Sequence, residues 1–204
     1  MSGCCDSGCA LDRRHEKQRR TLQVVLVINA VMFLVIVAAA LYGKSSALLS
    51  DSLDNLGDAL TYALSLYAVE RGITAKARVA LFKGAAILLA AGVVAGQIVY
   101  RLIEPAVPVF EVMGAFSALA LVANSVCLFL LWRHRHEDVN MSSVWECSRN
   151  DIAANLSVFI AAGGVWLTGS GWPDIAVASC LVLLLMRSAI RVITSAMAEL
   201  ETAG

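Results

Sequence analysis

The chain alternates long apolar runs with short polar connections, and the runs have the length of a bilayer crossing. A hydrocarbon core about 30 Å thick takes about 20 helical residues. On that ruler the sequence divides into six segments, at 23–43, 47–69, 79–102, 109–132, 143–168 and 173–193. Pro105 and Pro108 separate the third from the fourth, and Gly169, Gly171 and Pro173 separate the fifth from the sixth. Turns of this kind join antiparallel neighbours. The pattern predicts an all-α polytopic membrane protein with six transmembrane helices in one bundle. Its layout is a cytoplasmic tail over 1–22, a transmembrane domain over 23–193 and a short cytoplasmic tail over 194–204, with no room for a second domain.

Composition agrees with the bilayer as solvent. Apolar residues make up 59% of the chain and charged residues 16%, with a mean hydropathy of +0.73, well above what an ordinary water-soluble domain needs. Sixteen basic residues balance sixteen acidic ones, so no basic surplus points to nucleic acid. The first apolar run has no small-residue cleavage site and reads as a retained span rather than a signal peptide.

Orientation follows from lysine and arginine, which short loops retain on the cytoplasmic side. Arg13, Arg14, Lys17, Arg19 and Arg20 precede span one; Arg71, Lys76 and Arg78 lie between spans two and three; Arg133 and Arg135 lie between four and five. The opposite loops carry only Lys44 and Arg101. Both termini are therefore expected in the cytoplasm, as an even number of spans requires. Trp132, Trp166, Trp172 and Tyr100 fall near span ends, where amphipathic rings anchor at the interface. The short loops fit a bacterial inner membrane.

Span two contains residues that lipid disfavours. It reads LLSDSLDNLGDALTYALSLYA, with Asp51, Asp54 and Asp58 inside the apolar run. A charged side chain at the bilayer centre costs about 2.5–3.5 kcal/mol on insertion scales, so such residues face a protein interior or a watery cavity. Asp54 and Asp58 are four apart and stack on one helix face, close enough for one cation to bridge them. Asp51 lies one turn earlier on nearly the same face. Span five, VWECSRNDIAANLSVFIAAG, repeats the spacing with Cys147 and Asp151, continued by Asn155.

Asp54, Asp58, Cys147 and Asp151 thus supply four candidate ligands, the number a tetrahedral zinc-like ion takes, with Asp51 and Asn155 as auxiliaries. Thiolate favours zinc or cadmium over magnesium or calcium. Two bland readings compete. Polar residues also serve as packing glue between membrane helices, and a small thiol is often buried without function. Arg149 is the candidate partner for a purely structural ion pair, but it lies about 100° around the helix from the neighbouring ligand candidates.

These residues resemble the cation diffusion facilitator family over nearly the whole chain. The family's second span carries an Asp, a short apolar step, then His or Asp, three residues and Asp; SDSLDNLGDAL is similar, with Asp51, Asp54 and Asp58. The fifth-span pair is usually His and Asp, where this chain has Cys147 and Asp151. WPDIAVASCLVLLL resembles the start of the family's span six, with Asp174 after a turn. Two departures stand out: TAKARVALFKG lacks the Glu of the family's approach to span three, and the chain ends at Gly204 where members commonly continue into a metal-binding cytoplasmic domain. The resemblance implies a short, transmembrane-only exporter of zinc-like divalent cations in exchange for protons.

The chemistry is compatible with that implication. Protons compete with metal for carboxylates and thiols, which supplies coupling, and no phosphate-binding loop is present. The expected partners are a divalent metal cation, protons and membrane lipid; no cofactor is expected beyond the transported ion. Gly92 and Gly96 form a GxxxG step that either brings two chains together as a homodimer or packs inside the bundle. Further thiols and imidazoles sit outside the spans: Cys4, Cys5, Cys9 and His15 in the tail, His134 and His136 in the loop RHRHED. They are candidates for capturing an ion before transport, against the plainer reading of a solvated tail and loop. Two other functions remain in view, a soft-metal exporter for cadmium, mercury or cuprous ions and a membrane metal sensor or scaffold that moves nothing. An intramembrane hydrolase is disfavoured because all three histidines lie outside the spans.

Overall fold

The computed structural model describes residues 4–68, 73–132 and 139–202; side chains at 4–15, 139–147, 149 and a few scattered positions lie outside the description. Six helices follow one another: α1 (Cys4–Gly43), α2 (Ser46–Ala68), α3 (Ile73–Ile103), α4 (Phe110–Trp132), α5 (Val139–Thr168) and α6 (Trp172–Thr202). No strand occurs among the described residues. In a bilayer every backbone N–H and C=O must be met internally, which leaves the helix as the form for these apolar runs. Among the described residues five helices are long and apolar enough to cross a membrane, α2 being the exception.

Helix α2 fails that test because of its three aspartates, and its place in the fold accounts for them. It touches all five other helices, and among its described residues only Ala63 is exposed. The most polar helix is thus withdrawn from lipid by the apolar ones. Around it, α1 packs on α2 and α4, α4 on α5, and α3 on α6. Met32, Ile36, Leu48, Leu53, Val94, Met113, Val158 and Val182 are among the buried apolar residues that knit these contacts. The outside is correspondingly apolar: Leu34, Leu89, Phe129 and Leu167 are all more than 65% exposed. On a water-soluble protein such a continuous apolar surface would aggregate; around a bundle it is the lipid-facing belt. Trp132, Trp166, Trp172 and Tyr100 are also more than half exposed, as interfacial anchors require.

The helices are longer than the spans read from the sequence. α1 runs back through the basic segment to Cys4, α3 and α5 begin six and four residues early, and α6 continues nine residues past the expected end. All four extensions lie at the end of the bundle where the arginines and lysines gather. Gly92 and Gly96 prove to lie on the outer face of α3: both are exposed, and nothing stands within 4 Å of a Cβ added at either. Packing inside the bundle is therefore not what the GxxxG step does.

The opposite end is tied by specific bonds. Lys44, at φ 54°, takes the left-handed conformation after α1, and Ser45 N–H donates to the Ala40 carbonyl at 3.0 Å, the six-to-one bond of a Schellman stop. Ser45 then caps α2, its Oγ accepting from Leu48 N–H at 3.0 Å. The remaining first-turn donors are met from α6: the Asp174 carboxylate accepts from Ser46 N–H at 2.8 Å, from Ala47 N–H at 3.1 Å and from the Ser45 hydroxyl at 2.5 Å. An anion at a helix N-terminus is favoured by the helix dipole as well as by the orphan donors. The α3–α4 loop joins this end through Val109 N–H to Gly43 O at 2.9 Å, and a Cβ at Gly171 would fall 2.5 Å from the Ala106 carbonyl oxygen.

Replacing Asp174 by Ala removes three charge-assisted bonds and strands buried donors, so the variant is expected to lose about 3 kcal/mol of stability. Thermal unfolding in detergent checks this. A melting temperature equal to that of the native chain would mean that water meets the α2 terminus instead.

Candidate metal centre between α2 and α5

Helical geometry first decides which α2 side chains share a direction. Seven residues is nearly two turns, so Asp51 and Asp58 differ by only about 20° around the axis, and both are buried. Asp54 lies about 40° off Asp58 and is half-buried, with Asp51 and Asp58 as its nearest charged neighbours. On α5 the same reasoning puts Asp151 and Asn155 on one face, and both are buried. Where α2 and α5 meet, the Asp58 carboxyl comes within hydrogen-bond reach of Asp151. One member of each candidate pair, Asp58 and Asp151, thus meets at this level although the two lie almost a hundred residues apart.

Three further helices supply groups to that meeting point. Tyr62, fully buried one turn on from Asp58, donates its hydroxyl to Asp58 Oδ2 at 2.8 Å. Cys127 of α4, also fully buried, is close enough to both Asp58 and Asp151 to feel their charge. The Asn29 amide of α1 donates to the Val25 carbonyl at 3.0 Å and points at the Cys127 sulfur at 3.7 Å. From α3, Lys83 Nζ donates to Thr61 Oγ1 and its charge acts on Asp58. Leu22, Val25 and Leu131 pack around Tyr62 and Cys127, making this the apolar wall of the site.

The sequence-based residues divide accordingly. Asp58 and Asp151 are brought together at the α2–α5 contact, with Asp51 on the Asp58 face of α2 and Asn155 on the Asp151 face of α5, while Asp54 lies half-buried one turn before Asp58. Cys147 lies on α5 one turn before Asp151, but its side chain is outside the described residues, as are those of Arg149, Cys4, Cys5, Cys9 and His15; His134 and His136 fall in the segment 133–138, also outside them. Among the described residues no three His, Cys, Asp or Glu side chains gather tightly enough to hold an ion together. An ion bound here would need Cys147 to complete the set or α2 and α5 to draw closer.

Tyr62, Cys127, Lys83 and Asn29 were missed as site residues. Tyr62 had a legible signal, since it follows Asp58 at the helical repeat. Lys83 had a weaker one, as a charge five residues inside the third span. Nothing in the order of residues places Cys127 and Asn29 against the α2 carboxylates.

A helical bundle with a lipid-facing exterior and a buried set of carboxylates, phenol and thiol, with a half-buried ammonium nearby, is a polytopic membrane protein suited to cations. The cation efflux transmembrane domain matches residues 22–200, and the chain belongs to that family: it is a transporter of metal cations rather than an enzyme. No curated protein matches it.

Two variants should move metal binding in opposite directions. Tyr62→Phe removes the bond that orients Asp58 and is expected to weaken metal affinity by about tenfold, as loss of an outer partner of a metal ligand commonly does. Lys83→Met removes a positive charge beside the site and is expected to tighten affinity by about tenfold or more. Isothermal titration with zinc in detergent measures both; equal shifts of one sign would mean that the substitutions act through the fold.

Proposed function

We propose that the protein exports a zinc-like divalent cation, cadmium and cobalt included, by proton-coupled antiport with alternating access. The observation that carries this reading is the convergence of Asp58 and Asp151 inside a membrane bundle, where carboxylates are otherwise costly. Asp54, Asp58, Cys147 and Asp151 are the proposed ligands. With the site open to the cytoplasm, the cation displaces protons from these groups; with it open to the other side, protons displace the cation. Binding metal then means losing protons, and the coupling needs no separate energy source. Among the described residues the α3–α6 pair touches the remaining helices only through α2 and α5, which makes it the unit suited to move against them. Both termini are assigned to the cytoplasm on the lysine and arginine distribution, and a bacterial inner membrane remains the proposed location.

One observation favours the soft-metal variant. The Cys127 thiol lies near both carboxylates, and a second thiol in reach of the site would raise preference for cadmium over zinc. Competition between the two ions during transport separates the cargoes.

Flux into proteoliposomes loaded with a zinc-sensitive dye, under a pH gradient, tests the main reading. The native chain is expected to carry zinc only with the gradient imposed, and Asp58→Ala to reduce flux by about a hundredfold or more while remaining folded. A folded native protein that carries no zinc, cadmium or cobalt would sink the exporter and favour a sensor or scaffold.

A further inference from the structure

Along α2 from Asp58 toward the α1–α2 turn, the interior holds oxygens with no donor to satisfy them. Asp51 is 1% exposed, and both of its carboxyl oxygens are buried without a hydrogen bond. Asn55 and Asn155 are equally withdrawn, at 2% and 1% exposure. Each uses its amide nitrogen on its own helix: Asn55 Nδ2 donates to the Asp51 carbonyl at 3.3 Å, and Asn155 Nδ2 to the Asp151 carbonyl at 2.7 Å. Those bonds decide which end of each amide is nitrogen. The end left over is Oδ1, buried and without a partner in both residues.

The register of the two helices brings these oxygens together. Short connections alternate the direction of successive helices, so α2 and α5 are antiparallel, and the meeting of Asp58 with Asp151 sets their alignment. Moving away from that level runs backward along α2 and forward along α5. Asn55 is three residues back and Asn155 four residues on, so they stand within about 1.5 Å of the same height. Asp51 is about one turn further and within about 20° of Asp58 around α2, on the face that meets α5. Asp51 and Asn155 thus stand along the α2–α5 seam and Asn55, about 60° from Asp58 around α2, borders it; among the described residues no donor serves their four oxygens. A buried group of acceptors lacking donors is completed by water or by a cation with its water, and a carboxylate with two amide oxygens is a ligand set that hard divalent cations take.

We propose that Asp51, Asn55 and Asn155 form a second cation position, built from oxygen alone, that takes the divalent cargo with part of its water shell. It lies on the α1–α2 turn side of the Asp58–Asp151 level. This inference rests on the reading that divalent cations pass that level, and extends it. With one carboxylate, two neutral amides and no thiolate, the position binds more weakly than the first and favours hard ions. A cation leaving the tight site steps onto it before release, so the carboxylates behind can be reprotonated.

Purified full-length chain in detergent tests this with manganese(II) as the oxygen-seeking probe, counted by electron paramagnetic resonance, and zinc measured by equilibrium dialysis. Two classes of site are expected. Asp58→Asn should remove tight zinc binding and leave weak manganese binding in place. Asp51→Asn should weaken manganese binding at least about tenfold, and Asn155→Asp should strengthen it about tenfold, since ligand charge tunes affinity at oxygen sites. A gain in Asn155→Asp cannot come from misfolding. Manganese binding that ignores both the Asp51 and Asn155 variants, or disappears together with zinc in Asp58→Asn, overturns the second position. If instead Asp58→Asn leaves zinc binding intact while the Asp51 and Asn155 variants shift manganese, the second position stands and the proposed transport site falls.

Discussion

The cost of charge in a medium of low dielectric governs this protein. Three carboxylates on one helix are unfavourable in hydrocarbon, and the fold answers by enclosing that helix. α2 touches every other helix, and the lipid belt is left to five helices that carry few charges in their spans. The arrangement concentrates the expensive residues where α5 can approach them. Structural necessity and candidate function therefore share a cause, because the carboxylates that force α2 inward are the ones a cation would seek.

A second carboxylate solves a different problem. Asp174 begins α6 yet spends its oxygens on the first turn of α2, and with Ser45 it meets donors that hydrocarbon could not. Together with the Schellman stop at Lys44 and the tie from Val109 to Gly43, it fastens the loop-side end of the bundle. At the other end the helices run on past the span length. The bundle is thus tied by specific bonds at one end, with α3 and α6 paired more closely to each other than to the rest.

The site itself mixes hard and soft chemistry. Asp58 and Asp151 come within hydrogen-bond reach, Tyr62 orients one of them, and the buried Cys127 thiol is close enough to feel their charge. Lys83 of α3 donates to Thr61, beside Asp58.

Much of this was legible in the order of residues. Six apolar runs of bilayer length, broken by Pro105, Pro108, Gly169 and Gly171, determine a six-helix membrane bundle, because length and hydropathy act locally along one helix. The four-residue spacings of Asp54 with Asp58 and Cys147 with Asp151 likewise follow from the helical repeat, and they singled out the two helices that meet. What the repeat cannot convey is which faces of different helices touch. The burial of Cys127 against the α2 carboxylates, the reach of Lys83 from α3, the outward aim of Gly92 and Gly96, and the use of Asp174 as a cap for α2 all depend on packing between segments distant in sequence. Only the tertiary structure decided these, since side chains far apart on the chain acquire neighbours only when the bundle closes around α2.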